Sequence, residues 1–326
     1  MKREVEKKIE REAATVTEFG AHLEPALRVE QGEKFVVETQ DNLFGQINSE
    51  DVLLTAEHLP ALRYQFWKVN PVAGPIHVEG CEAGDLLVLE IEDIVPSERG
   101  WTGFAPTSAT SPATPPSPSY RSPTPASPTT ARALRHDLRR HRLLQREPRG
   151  HLPLRPFLGT IVTAPERGIE NTLVSQGPWG GNIDCRDVKK GNKIYMNAYH
   201  DGGLLFFGDA HAAQGDSEYT GIADETAADT TARCHVVKRK RVPGVLRIET
   251  AESLIQVDSA RNAGSMERAL NGAFIGMMQW LTEEHGMDGK EAYLHFTANP
   301  DVRIHTYQFV GPAFYVVGVE FLKKYL

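Results

Sequence analysis

Residues 75–96 read PIHVEGCEAGDLLVLEIEDIVP, two runs of alternating character split by Gly80 and Gly84. In an extended chain Leu87, Leu89 and Ile91 fall on one side and Val88, Glu90 and Glu92 on the other. That is the period of two expected of a half-buried strand. The same pattern recurs in both directions. ALRVEQGEKFVVETQD (26–41) looks like a hairpin turning at QGEK, and GTIVTAP, NKIYMNAY, GLLFFGDA, CHVVKRKRV and VLRIETAES follow as short strands. Turn residues recur at intervals of roughly 8–15 residues, the spacing of sandwiches and barrels rather than of βαβ units. The expected fold is therefore mainly β, with a β-sandwich or jelly-roll-like core and a second β region.

The end of the chain changes period. SMERALNGAFIGMMQWLTEEHG (265–286) sets Met266, Leu270, Phe274, Met277, Met278 and Leu281 at helical spacing, and Gly286 can end the helix. Met and aromatic residues so placed read as core. With AYLHFTA and AFYVVGVEF after it, this stretch forms a small C-terminal α+β unit. The expected organisation is a β domain over 1–105, a central β domain over 153–250 and the α+β unit over 251–326.

Between the first two lies a segment of different composition, residues 106–152. Over 106–133, 25 of 28 residues are Pro, Ser, Thr or Ala, and the stretch LRHDLRRHRLLQREPRGHLPLR that follows is rich in Arg with no Lys. Such text cannot bury enough apolar surface to offset its ordering entropy. It reads either as a disordered insertion or, the reading we favour, as the product of a shifted reading frame in GC-rich DNA.

Composition bounds the function. A formal net charge of -7 and a pI near 6.0 give no electrostatic footprint for nucleic acid. Cys81, Cys185 and Cys234 are odd in number and far apart, which fits a reducing compartment without disulfides. The charged N-terminus lacks a signal-like apolar core, and no run approaches the roughly 20 apolar residues of a membrane span. A cytoplasmic protein with no membrane partner is expected.

Polar chemistry concentrates in GDAHAAQGDSE (208–218), directly after the apolar LLFFG. Positions i and i+2 of a strand share a face, so Asp209 and His211 should present a carboxylate and an imidazole together. Gly215 allows a turn that brings Asp216 and Glu218 to the same space. In GPWGGNIDCRD (177–187) the glycines precede Asn182, Asp184 and Cys185 and could form either a β-turn or an anion-stabilising backbone nest. His77 has Glu79 on its own strand face.

Three strings together, NPVAGPIHVEGCEAGDLL (70–87), GGNIDCRDVKKG (180–191) and GLLFFGDAHAAQGDSEYTG (203–221), resemble the acetamidase/formamidase family of amide hydrolases. PLRPFLGTIVTAPE (153–166) and the 265–286 helix fit the same family, so the resemblance covers nearly everything outside roughly 107–152. It implies hydrolysis of short linear amides to acid and ammonia, assembly into a homo-oligomer, and a divalent metal, zinc by analogy with related amide and lactam hydrolases. The expected ligand pool is His77, Asp184, Asp209 and His211. Glu218 is the expected general base and then acid, with Asn182 and the Gly180–Gly181 backbone orienting the substrate oxygen. Two alternatives stand beside this: an amidase with Cys185 as nucleophile, and a non-catalytic or degenerate β-sandwich binding protein.

Overall fold

A computed structural model describes residues 7–47, 68–103, 131–137, 142–144, 152–311 and 314–326, with the side chains of 131–137 and 142–144 left aside. With 45% of residues in strands and 17% in helices, the chain is mainly β, as its alternation requires. Among the described residues all but two of its strands form one large curled sheet, and Glu18–Phe19 and Glu170–Asn171 pair as a small second one.

The frame is built on two long strands. Leu86–Gly103 and Asp224–Val237 run antiparallel from the Leu86–Val237 pair to the Trp101–Glu225 pair. Their inward residues, among them Leu87, Leu89, Ile91, Ala228, Ala232 and Cys234, join one core cluster. The same cluster takes Leu158 and Ile161 from the Phe157–Thr163 strand and Leu205 and Phe207 from Leu205–Ala213. Strands from the 1–105 and 153–250 regions thus pair with each other directly, as do Lys193–Asn197 with Leu86–Gly103 and Leu205–Ala213 with Val72–Val78.

The expected hairpin at 26–41 does not pair with itself. Leu27–Val29 runs parallel to Val72–Val78, and Lys34–Thr39 runs antiparallel to Asp224–Val237. The turn between them is present, closed by Glu33 N–H on Glu30 O at 3.1 Å. A six-residue strand fills more of its ladder against a 14-residue partner than against a three-residue neighbour, so tertiary pairing overrides the local one.

At the C-terminus Ser265 caps the Met266–Gln279 helix by accepting from Arg268 N–H, and a π turn, Trp280–Glu284, continues it. Met277, Trp280 and Leu281 pack with Leu254, Val319 and Phe321 of the strands beneath. The Arg303–Val310 and Phe314–Leu322 strands pair with each other, and the second also pairs with Ser253–Ser259. Most of 106–152 lies outside the described residues. Within it, backbone strands Ala131–Asp137 and Arg142–Leu144 continue the sheet from Arg99–Gly103. Among the described residues no helix is long and apolar enough to cross a membrane.

Candidate functional site

The Leu205–Ala213 strand is apolar through Phe207 because it is sandwiched between Phe157–Thr163 and Val72–Val78. At Gly208 its character changes, and Asp209 and His211 follow. Asp209 and His211 come together as expected, though not through a regular pleat. Asp209 adopts φ +55°, a left-handed rather than extended conformation, yet its Oδ1 lies 3.5 Å from His211 Nε2. Asp184 (φ +43°) and Glu218 (φ +43°) share this unusual backbone. Such conformations cost on the order of 1–3 kcal/mol each in non-glycine residues and cluster where function demands an aimed side chain.

The next strand supplies a residue that motif reading missed. Antiparallel pairing sets His211 opposite Glu225, and Glu225 Oε2 lies 3.3 Å from His211 Nε2. The signal was present in ADETAADT (223–230), where Asp224 and Glu225 open a strand of small residues that carries a third acid at Asp229, but only the register places Glu225 on the imidazole. Asp184 Oδ1 stands 4.0 Å from the same nitrogen. Two sets of three residues, Asp184–His211–Glu218 and Asp209–His211–Glu225, each offer ligand atoms within 4.8 Å of one another and share His211. All five are buried, at 1% exposure for His211, 2% for Asp184 and Glu225, 4% for Asp209 and 7% for Glu218.

Glycine makes the room. A Cβ at Gly159 would lie 2.6 Å from Asp184 Oδ1 and 2.8 Å from Asp209 Oδ2, so only a residue without a side chain fits beneath the two carboxylates. Thr160 Oγ1 lies 3.0 Å from Asp209 Oδ2 and 2.9 Å from Asn182 Oδ1, with its one proton between them, and accepts from Asn70 Nδ2 at 3.1 Å. Gln308, on the Arg303–Val310 strand, donates through Nε2 to Asp184 Oδ2. Its Oε1 in turn accepts from Gln176 Nε2 at 2.7 Å. The Phe157 ring meets the His211 ring edge-on, with centroids 4.9 Å apart.

Charge at this site is unbalanced. Burial pushes the Asp184 carboxyl well above its usual range, with the Glu218 charge adding to it. Burial likewise raises Glu218 and Glu225 to about 7 each, against the opposing pull of His211. Burial disfavours the charged form of His211, but the Glu225 and Asp209 carboxylates outweigh it and hold the ring well above its ordinary value. Four buried acids cannot all ionise around one imidazolium. Two of their oxygens, Asp184 Oδ1 and Glu225 Oε2, have no hydrogen-bond partner among the described residues. Orphaned carboxylate oxygens beside an imidazole in a shared buried space are the donor set a divalent cation requires, so these residues fit a metal.

Other expected site residues are placed differently. His77 belongs to neither set. Val72 pairs with Gly208 and Ile76 with Leu205, so the antiparallel register carries His77 away from Asp209 by about 16 Å along the strand. It lies instead 3.6 Å from Glu79 Oε2 and packs over Gly202, where a Cβ would come within 2.1 Å of the ring. Asp216 stays more than half exposed, paired with Arg186 at 2.7 Å. The Gly180–Gly181 stretch is a strand rather than a nest. Cβ atoms there would approach Ile161 O at 2.2 Å and Ser175 O at 2.1 Å, so these glycines serve close backbone packing. Asn182 donates through Nδ2 to Leu173 O at 2.9 Å and accepts at Oδ1 from Thr160 Oγ1, so both ends of its amide are engaged within the protein. Cys185 is fully buried in the core cluster, and burial, with the Asp187 charge second, pushes its thiol up, away from the thiolate a nucleophile needs.

A curled β protein with a buried acid–imidazole cluster able to hold a metal ion is the class that fold and site define. The model of the Acetamidase/Formamidase family matches residues 3–176 and 170–310, and the chain belongs to that family. An acetamidase structure from Yersinia enterocolitica superposes with a TM-score of 0.84 at 28% identity, covering 99% of this chain and 94% of that one. One from Bacillus halodurans gives 0.81 at 26% identity, with 98% of each chain covered. A Schizosaccharomyces pombe relative that carries the name of a formamidase is 25% identical over 255 residues, or 64% of this chain. The chain spans 61% of that relative's length.

Proposed function

We propose that this protein hydrolyses short linear amides of the formamide and acetamide type to carboxylate and ammonia, with zinc held by the His211-centred cluster. The observation that carries the reading is the convergence of Asp184, Asp209, Glu218 and Glu225 on His211 in a buried space with two orphaned carboxylate oxygens. Family membership supplies the substrate class, and the acetamidase neighbours agree with it.

An amide carbonyl is a weak electrophile and ammonia a poor leaving group. Hydrolysis therefore needs water made nucleophilic, the carbonyl polarised and the nitrogen protonated. Asp184, Asp209, His211 and Glu225 would hold the ion, whose chemistry when bound is Lewis acidity toward water and carbonyl oxygen. Glu218 is the proton carrier. Burial sets its carboxyl to about 7, so it can take a proton from water and return it to the leaving amine near neutral pH. Thr160 and Gln308 fix the carboxylates of Asp209 and Asp184, and Asn182 acts one bond further out through Thr160. Positioning of this kind supplies much of the advantage over reaction in solution.

Ammonia release from formamide and acetamide tests the proposal directly. Activity is expected to vanish after chelation and to return with zinc. Full activity of a metal-free preparation, or none from folded, zinc-loaded protein, would refute it. We also infer that the chain functions as a homo-oligomer in the cytoplasm, for which sedimentation and fractionation are the measurements.

A further inference from the structure

We infer that Gln214 is a positioning residue that sets the tautomer of His211 and so decides which ring nitrogen faces the carboxylates. Gln214 follows the Leu205–Ala213 strand by one residue, and its side-chain amide turns back against that strand. Three contacts define its orientation. Gln214 Nε2 donates to the backbone carbonyls of Asp184 at 2.9 Å and Tyr307 at 3.1 Å, and Gln214 Oε1 lies 2.9 Å from His211 Nδ1.

A carbonyl oxygen can only accept, so the end of the amide that meets two carbonyls must be its NH2. The end facing the imidazole is therefore the amide oxygen, which also only accepts. Nδ1 must then carry a hydrogen. In the neutral ring the lone pair is left on Nε2, the atom 3.3 Å from Glu225, 3.5 Å from Asp209 and 4.0 Å from Asp184. Two main-chain oxygens thus determine, through one side chain, where the only imidazole in the cluster can bind a cation. The same contacts join three separate segments: the loop at Asp184, the strand bearing His211 and the C-terminal strand bearing Tyr307.

The inference rests on the metal reading only for its affinity arm. Protein labelled with 15N-histidine gives the tautomer from ring-nitrogen shifts, with the His211 signal identified by its loss in His211→Asn. In metal-free protein at a pH high enough to deprotonate the ring, the hydrogen is expected on Nδ1, and it should stay there when zinc is added. Gln214→Leu removes the acceptor and should mix the tautomers and weaken zinc binding by roughly 10- to 100-fold. Gln214→Glu keeps an acceptor for Nδ1–H and should keep the tautomer while setting an oxygen against two carbonyls and lowering the melting temperature. A wild-type hydrogen on Nε2 would overturn the inference even if every variant failed to fold. So would a folded Gln214→Leu protein with unchanged tautomer and zinc affinity. Nδ1–H without ammonia release would count against the hydrolase alone.

Discussion

Gly159→Ala should disable the site by adding a single methyl group. Ordinary contact begins near 3.4 Å, and the new Cβ would stand 2.6 Å from Asp184 Oδ1, 2.8 Å from Asp209 Oδ2 and 2.9 Å from the Asp209 carbonyl. Relief therefore demands displacements of about 0.8 Å and 0.6 Å of two carboxylate oxygens, or a comparable retreat of the strand itself. Neither oxygen is free to swing. Asp209 Oδ2 is held by Thr160, and Asp184 is tethered through its other oxygen by Gln308. Gly159 has no left-handed backbone, so the substitution acts by volume alone. Overpacking of this kind costs about 1–3 kcal/mol of stability. Misplacing reacting groups by close to 1 Å costs about 100-fold in rate. Thermal unfolding and kcat/KM for ammonia release, each with and without zinc, measure the two effects. The expected result is a folded protein with a modestly lower Tm, at least tenfold weaker zinc binding and kcat/KM down about 100-fold. A variant with zinc affinity and kcat/KM within twofold of wild type would show that Asp184 and Asp209 do not work from these positions.

Glu225→Gln replaces a buried acid, whose Oε2 has no hydrogen-bond partner among the described residues, with a neutral isostere. It should stabilise the metal-free protein above pH 7 by about 1–3 kcal/mol while weakening zinc binding, and equilibrium denaturation paired with zinc titration reads both changes. The metal-free protein should lose stability as pH rises. Glu218 and Glu225 titrate near 7 when folded against 4.5 unfolded, so between those values the native state binds more protons and each unit of pH costs stability. His211, raised above 6.5, adds stability that is present below that value and lost as pH climbs through its folded one. The gain in Tm on adding zinc should therefore grow from about pH 5 to pH 8, and a gain that shrinks over that range would contradict the cluster's charge balance. Cys185→Ala should keep kcat within a few-fold and lower Tm, since the thiol is core. Abolished turnover in a folded, zinc-loaded variant would restore the thiol mechanism.

Sequence alone determined the mainly β character, because a period of two over Leu87 to Glu92 and its repeats leaves little alternative to strands. It also picked out Asp184, Asp209, His211 and Glu218, since small residues and glycines around polar groups mark side chains that must be approached closely. Tertiary structure decided the rest, for reasons of register and reach. Glu225 joined because antiparallel pairing put it opposite His211, and His77 left because the same kind of pairing carried it down its strand. Thr160 and Gln308 lie far apart in the chain, and nothing local announces that the first bonds Asp209 and the second Asp184. Strand periodicity tells which face a residue occupies; which partner shares that face is fixed only when the long strands find each other.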